Sequence, residues 1–460
     1  MQMNPSEQFA AHVAEARYED LPDPIVARAK ERLADSVGVM SAGARGVGIP
    51  GMVDMAKAWG GAEQASIFNY GDKVPARVAA FVNSLQLRSF DFEAIDAEGF
   101  LTRWPAHVTS TTVPATLALA EWKAMSGKDF LLAMLLGDDM ACRLTEATRF
   151  DPLGCFDGNG TANCLGAAAI ASKALGLGAE QTLAAFGIAL NMAGGTMQNT
   201  QGFWTFKLGN ALSAYHGIFA AEMALNGFKG LDDPITGPKC FMDMFAKNGD
   251  ASELLKELGE RYFSDAVVKP WACCRGNHVV LDAARECLHG RTLDAKEVRK
   301  VRFGATKSLT NGEFPFGSTC ECDGLFNRRF TLSTYILTGQ VVAASYAPEW
   351  MTSPELKDIL DKLEFYEWNP LAGAKGSGGF AACVDIELED GETLHGEVKG
   401  DILGDVERKP LPKEEFEAKF ETNAAFGGKV DVGRLREAYD MAWNIEQVDD
   451  MSTFTNLLLP

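Results

Sequence analysis

The chain has 460 residues, 47% of them hydrophobic, and a formal net charge of -20. A chain of this length supports two or three domains. Its acidic balance excludes duplex nucleic acid and anionic membrane as partners, because both would repel it. An anionic substrate stays open, since a few buried cations set the sign inside one pocket whatever the outer surface carries.

The segment Met1 to Asp20 is polar and acidic and has no signal-peptide pattern. No run of about 18 apolar residues occurs, so no transmembrane helix is expected. Ten cysteines are scattered along the chain and read as reduced thiols of a cytoplasmic protein.

The first part reads as helices. Between Pro24 and Gly43, Ile25, Leu33, Val37 and Met40 return near helical spacing, with Gly43 as a stop. Val113–Met125, Asp129–Thr148, Thr161–Leu175, Glu180–Asn199 and Ala211–Asn226 continue the pattern. Thr161–Leu175 and Glu180–Met192 carry few charges and are expected at the centre of a bundle. Ala167, Ala168, Gly194 and Gly195 allow close helix approach. Past Asp294 the character changes. Val298, Val301 and Phe303 alternate as in a strand, and Asp390-Gly391 between the alternating runs Ala382–Leu388 and Leu394–Val398 is a hairpin signal. From Lys413 the chain is helical again and is expected to pack back on the first part. No internal repeat is evident.

Four stretches carry chemistry. Arg88-Ser-Phe-Asp91-Phe-Glu93 and Arg103-Trp-Pro-Ala-His107-Val-Thr109-Ser110 place acids, a base and cations just ahead of a helix, where backbone N–H groups favour a carboxylate. The plain alternative is a capping or surface histidine at 107. Phe156-Asp157-Gly-Asn159-Gly-Thr161 is a tight turn in which Asn159 or Thr161 caps the next helix; it lacks the spacing of a dinucleotide fingerprint. Phe203-Trp-Thr-Phe-Lys207 shields one lysine with rings, suiting it to a carboxylate, or else makes it a snorkelling lysine at a helix start. In Lys269-Pro-Trp271-Ala-Cys273-Cys274-Arg275-Gly-Asn-His278, a helix would set Arg275, His278 and Asp282 on one face. A zinc site from Cys273, Cys274, His278, Cys320 and Cys322 is the rival reading, weakened by adjacent cysteines that cannot easily share one tetrahedral ion. No GxSxG elbow, Walker A loop or HExxH stretch occurs.

These stretches, in this order, resemble the MmgE/PrpD family, which includes 2-methylcitrate dehydratase, cis-aconitate decarboxylase and iminodisuccinate epimerase. Leu33-Ala-Asp35-Ser-Val-Gly38, Ser126-Gly-Lys-Asp129, Leu165-Gly-Ala-Ala-Ala and, more weakly, Arg329-Phe-Thr-Leu-Ser333 add to the resemblance. It implies a mainly α fold with an α+β part: a helical bundle from residues 1–290 and 411–460, and an inserted α+β lid from 291–410. It also implies a homodimer, no metal and no organic cofactor. The implied activity is a lyase that dehydrates or decarboxylates a small di- or tricarboxylic acid by proton transfer next to a carboxylate. An epimerase on a similar acid, or a binding homologue without turnover, are the alternatives. The implied catalytic residues are His107, Asp91, Lys207 and His278, with Lys269, Arg275, Arg88, Arg103, Asp157 and Thr109 binding substrate. The chain departs from the family pattern at Arg88 and Asp157, which stand where site histidines are usual, and at Glu93 and Ala94, which replace aspartates. A retained pocket with a changed substrate is the expectation.

Overall fold

Alanine and leucine dominate the first half of the chain, and both lose little freedom on entering a helix. The computed structural model describes residues 3–151, 154–200, 203–246, 248–306, 316, 320–368, 370–371 and 381–460. Helices α1 (Pro5–Glu15), α2 (Asp23–Gly43), α3 (Ile49–Trp59), α4 (Ala76–Arg88), α5 (Thr109–Lys123), α6 (Gly127–Thr148), α7 (Gly158–Ala174), α8 (Ala179–Leu190) and α9 (Leu208–Leu225) build the first part. The protein is thus mainly α with smaller sheets, as the sequence leads one to expect. Among the described residues no helix is long and apolar enough to cross a membrane.

α7 lies at the centre, buried from Gly158 to Ser172, with α6 and α9 packed against it. Small residues permit this. A Cβ added to Gly217 of α9 would fall 2.4 Å from the Ala167 Cβ, inside van der Waals contact. α8 stops at Leu190, short of the expected Asn199, because the chain turns through Gly194 and Gly195, the latter at φ 135°. α4 carries no clear sequence signal. It is buried on nearly every face, so no polar stripe marks its period.

Three short strands, β1 (Ile95–Glu98), β2 (Arg103–Trp104) and β3 (Asp265–Val267), form an antiparallel sheet in the order β2-β1-β3, with Ala97 opposite both Trp104 and Asp265. Buried ions fix β3. Arg143 of α6 donates to Asp139 Oδ2 at 2.7 Å and to the carbonyls of Leu254 (3.1 Å), Lys256 (2.7 Å), Glu257 (3.4 Å) and Arg261 (2.7 Å). Arg32 of α2 pairs with Asp138, which accepts from Ser264 Oγ at 3.2 Å.

Beyond β3, helix α10 (Arg275–Leu288) lies against a four-stranded sheet of β4 (Val298–Ala305), β5 (Leu363–Glu367), β6 (Ala381–Leu388) and β7 (Thr393–Lys399), in the order β5-β4-β6-β7. β4 and β5 are parallel, the other pairs antiparallel. The β6–β7 hairpin turns at Asp390-Gly391, with Gly391 at φ 92°. α10 packs closely there: Gly396 of β7 leaves no room for a Cβ, which would lie 2.2 Å from Ala283 O. Helices α11 (Arg328–Thr338) and α12 (Pro354–Asp361) complete this part. α13 (Lys413–Gly427) and α14 (Val432–Ala442) return to pack on α2.

Candidate active site

α4 delivers Arg88 in its last turn, and the chain then bends sharply. Asp91 sits at φ 48° and Asp96 at φ 68°, left-handed positions that aspartate tolerates better than most residues but at a cost. Between them Glu93 is fully buried, and β1 pairs with β3 so that Lys269, two residues past β3, comes back over Asp91. His107 stands just ahead of α5. Arg88, Asp91, Glu93, His107 and Lys269 therefore meet in one buried cluster, none more than 6% exposed.

Its bonds are short and shared. Arg88 Nη1 donates to Asp91 Oδ1 and, at 2.9 Å, to Glu93 Oε1. Lys269 Nζ donates to the same Asp91 Oδ1 and, at 2.6 Å, to the Asp91 carbonyl. His107 Nδ1 lies 2.8 Å from Glu93 Oε1, an ion-pair distance off the axis of a straight hydrogen bond, and Nε2 lies 3.6 Å from Asp91 Oδ1. Ser110 Oγ donates to Glu93 at 3.3 Å. Arg88 also stacks on the Phe206 ring, 4.9 Å from its centre.

Charge states follow. Burial pushes the Glu93 carboxyl upward, but the charges around it, Arg88 foremost, outweigh it and hold Glu93 far below the usual carboxylate range. Asp91 is likewise held down, by Arg88 and Lys269 against burial. Arg88 is held more firmly protonated, its burial overcome by Asp91 and Glu93. His107 is lowered by burial and by Arg88, with Glu93 opposing, so its ring is neutral near pH 7. Glu93 is the nearer of the two carboxylates facing the ring, so the proton is assigned to Nδ1 and the lone pair to Nε2.

The remaining expected residues divide. Asp157 is buried at the N-cap of α7, its carboxylate accepting from Asn159 N at 2.9 Å. The cap is thus Asp157 rather than Asn159 or Thr161, and this frees Asn159 Oδ1 to accept from His107 N at 2.8 Å. Burial raises Asp157 to about 6, with the Asn159 amide and Arg88 opposing. Lys207, next to Phe206, is buried in an ion pair with Glu321 at 3.2 Å; it is no snorkelling lysine. Arg275 pairs with Asp96 at 3.0 Å.

Three further expected residues also lie outside the cluster. Arg103 is held in β2 by Asp405 and, at 2.9 Å, by Glu407. Thr109 donates its hydroxyl to Asp265 Oδ2 at 2.6 Å. His278 is fully buried, its Nε2 3.2 Å from the Cys273 carbonyl and its ring edge-on to Trp271. Burial and Lys269 push its basicity well down. A helix does place Arg275, His278 and Asp282 together, but they face different partners: Asp96, Cys273 and Leu403 N.

Sequence reasoning missed Glu93 as the ring partner, and Lys419. The latter reaches from α13, pairs with Asp35 at 2.6 Å and donates to the Phe92 carbonyl at 3.0 Å, so the C-terminal helix anchors the loop between the two acids. A lone lysine spaced for the inner face of α13 was the available signal.

Asp91, Glu93 and His107 each offer a ligand atom, all within 4.8 Å of one another, and among the described residues they are the one such group that could hold a metal ion. The number of donors suits a cation but the charge does not. Arg88 and Lys269 already balance the two carboxylates, and a divalent ion would add uncompensated charge to a buried site. The cysteines near His278 do not form such a group. A separate cavity of about 490 Å³ opens beside the first turn of α7, lined by Phe150, Cys155, Phe156, Thr161 and Phe245 among others; His107 and Lys269 do not line it.

Residues 7–254 match the MmgE/PrpD N-terminal domain and residues 271–445 the MmgE/PrpD C-terminal domain. Human cis-aconitate decarboxylase is 26% identical over 98% of this chain and 94% of its own length. The cis-aconitate decarboxylase of Aspergillus terreus is 24% identical, covering 96% and 93%. With both domain matches spanning most of its length, the chain belongs to the MmgE/PrpD family.

Proposed function

We propose that this protein is a lyase that removes CO2 or water from a small di- or tricarboxylic acid, with His107 as the general base or acid. The observation that carries this reading is the neutral, buried imidazole held with Nδ1 2.8 Å from an ionised Glu93 and Nε2 3.6 Å from Asp91, in a cluster that also holds Arg88 and Lys269. The names of the relatives support a carboxylate substrate and favour decarboxylation.

In dehydration, the free Nε2 takes a proton from the carbon beside a carboxylate, and hydroxide leaves with a proton from an acid. In decarboxylation, the C–CO2 bond breaks, its electron pair stays on the substrate carbon, and an acid, Asp157 or a His107 ring that has first taken up a proton, then protonates that carbon. Either route builds negative charge on the remaining carboxylate. Lys207 and Lys269 are the candidates to meet it, and a preorganised charge in a dry site contributes roughly 3–4 kcal/mol. Asp157, raised to about 6, is the proposed acid.

Thermal-shift screening of di- and tricarboxylates, with mass spectrometry of each hit, tests this. Ligands raise apparent stability by mass action. A lyase changes the hit's formula by CO2 or H2O. A hit that gains only deuterium in heavy water indicates an epimerase, and a hit left intact indicates a binding protein.

A further inference from the structure

The main chain of His107 is held at both its N–H and its carbonyl by amide side chains. Asn159 Oδ1 accepts from His107 N at 2.8 Å. Asn163 Nδ2 donates to His107 O at 2.6 Å, and Asn210 Nδ2 donates to the same oxygen at 2.9 Å. Both donors also reach Thr111 Oγ1, at 3.2 and 3.1 Å. Asp265 completes the frame, accepting from Val108 N at 3.1 Å and Thr109 N at 2.8 Å. The two asparagines come from different helices, α7 and α9, and are 1% and 0% exposed.

Packing alone does not account for this pair. His107 O takes a side-chain donor on each of its two lone pairs, one from each of two helices. In making them, Asn163 and Asn210 each leave their own Oδ1 buried with no hydrogen-bond partner, an arrangement that costs stability. Stability given up beside a reactive side chain points to function. A ring whose Nδ1 must stay against Glu93 needs its backbone fixed, because a displacement of about 1 Å is enough to cost a large factor in rate.

We propose that Asn163 and Asn210 are positioning residues that lock the His107 backbone so that its ring stays aligned between Glu93 and the substrate. This rests on the reading of His107 as the general base or acid. The charged groups facing the ring are Arg88 from α4, Asp91 and Glu93 from the loop after it, and Lys269 from beyond β3. A ring released from its frame samples positions farther from these groups, and its titration moves upward toward the ordinary imidazole value.

The test uses Asn163→Ala and Asn210→Ala in the full chain, with Thr116→Ala on α5 as a control bonded only to the Thr112 carbonyl of its own helix. kcat is expected to fall about 10- to 100-fold with KM unchanged, while the control keeps both. The His107 ring signal, assigned by its loss in His107→Ala, is expected to titrate higher in both asparagine variants. Should the alanine variants fail to fold, Asn163→Ser and Asn210→Ser, which keep a small polar group of shorter reach, give the same two readings. Folded variants with parental kcat and parental ring titration overturn the proposal. The ring titration needs no substrate, so it judges the frame even if turnover in His107→Ala removes the histidine from the chemistry.

Discussion

Two buried clusters in this protein use nearly the same residue types and reach opposite ends. Around Arg143 the guanidinium donates to one carboxylate and four main-chain carbonyls, and the segment leading into β3 is pinned to α6. Around Arg88 one guanidinium nitrogen serves two acids, while Arg88 Nε, Glu93 Oε2 and His107 Nδ1 are left without a good hydrogen bond. The first cluster is saturated and acts as a structural anchor. The second keeps unused capacity, strained backbone at Asp91 and an imidazole, and can meet another molecule. Buried charge alone does not mark a site; buried charge with bonding capacity left over does.

Substitutions should separate the two. The largest effect is expected at Arg143→Ala, which strands Asp139 and four carbonyls and should cost about 3–5 kcal/mol in denaturant unfolding. An unchanged unfolding curve would erase the distinction from the structural side. Glu93→Gln keeps size but removes the anion that orients His107, so kcat should fall about 100-fold with a smaller stability loss. Retained kcat would mean the ring needs no carboxylate partner.

Asp157 gives a third, smaller effect. Its folded value of about 6 lies above the 3.8 expected for the unfolded chain. Its contribution to stability is therefore fully present below about pH 3.8 and is lost as pH rises through about 6. Asp157→Asn should thus flatten the stability decline over that interval, by at most about 3 kcal/mol. If Asp157 is also the acid, the parent's rate should fall as pH rises through about 6, and the variant should lose that limb. The smallest effect is expected from a chelator: activity should be unchanged, since Arg88 and Lys269 occupy the carboxylates an ion would need. Loss of activity with EDTA would instead assign Asp91, Glu93 and His107 to a metal.

Local chemistry made much of this readable from the sequence. The alanine-rich α7, the Asp390-Gly391 hairpin and the grouping of Asp91 with His107 rest on signals within about twenty residues of one another. Asn163, Asn210, Asp265 and Lys419 were not legible as site residues, because each reaches the His107 region from a distant element and only the fold joins them. One trace was present. Asn159 and Asn163 are four apart on a helix rich in alanine and glycine, and so share one face. Arg103 and Thr109 show the converse: nearness in sequence to His107 suggested substrate contact, whereas short strand pairing and a helix start claimed both side chains for the scaffold.

Turnover by His107→Ala tests the central claim most directly. On whichever di- or tricarboxylate the parent converts, the variant should fold with near-parental Tm and lose at least about 100-fold in kcat. Near-parental kcat in that variant would contradict the account.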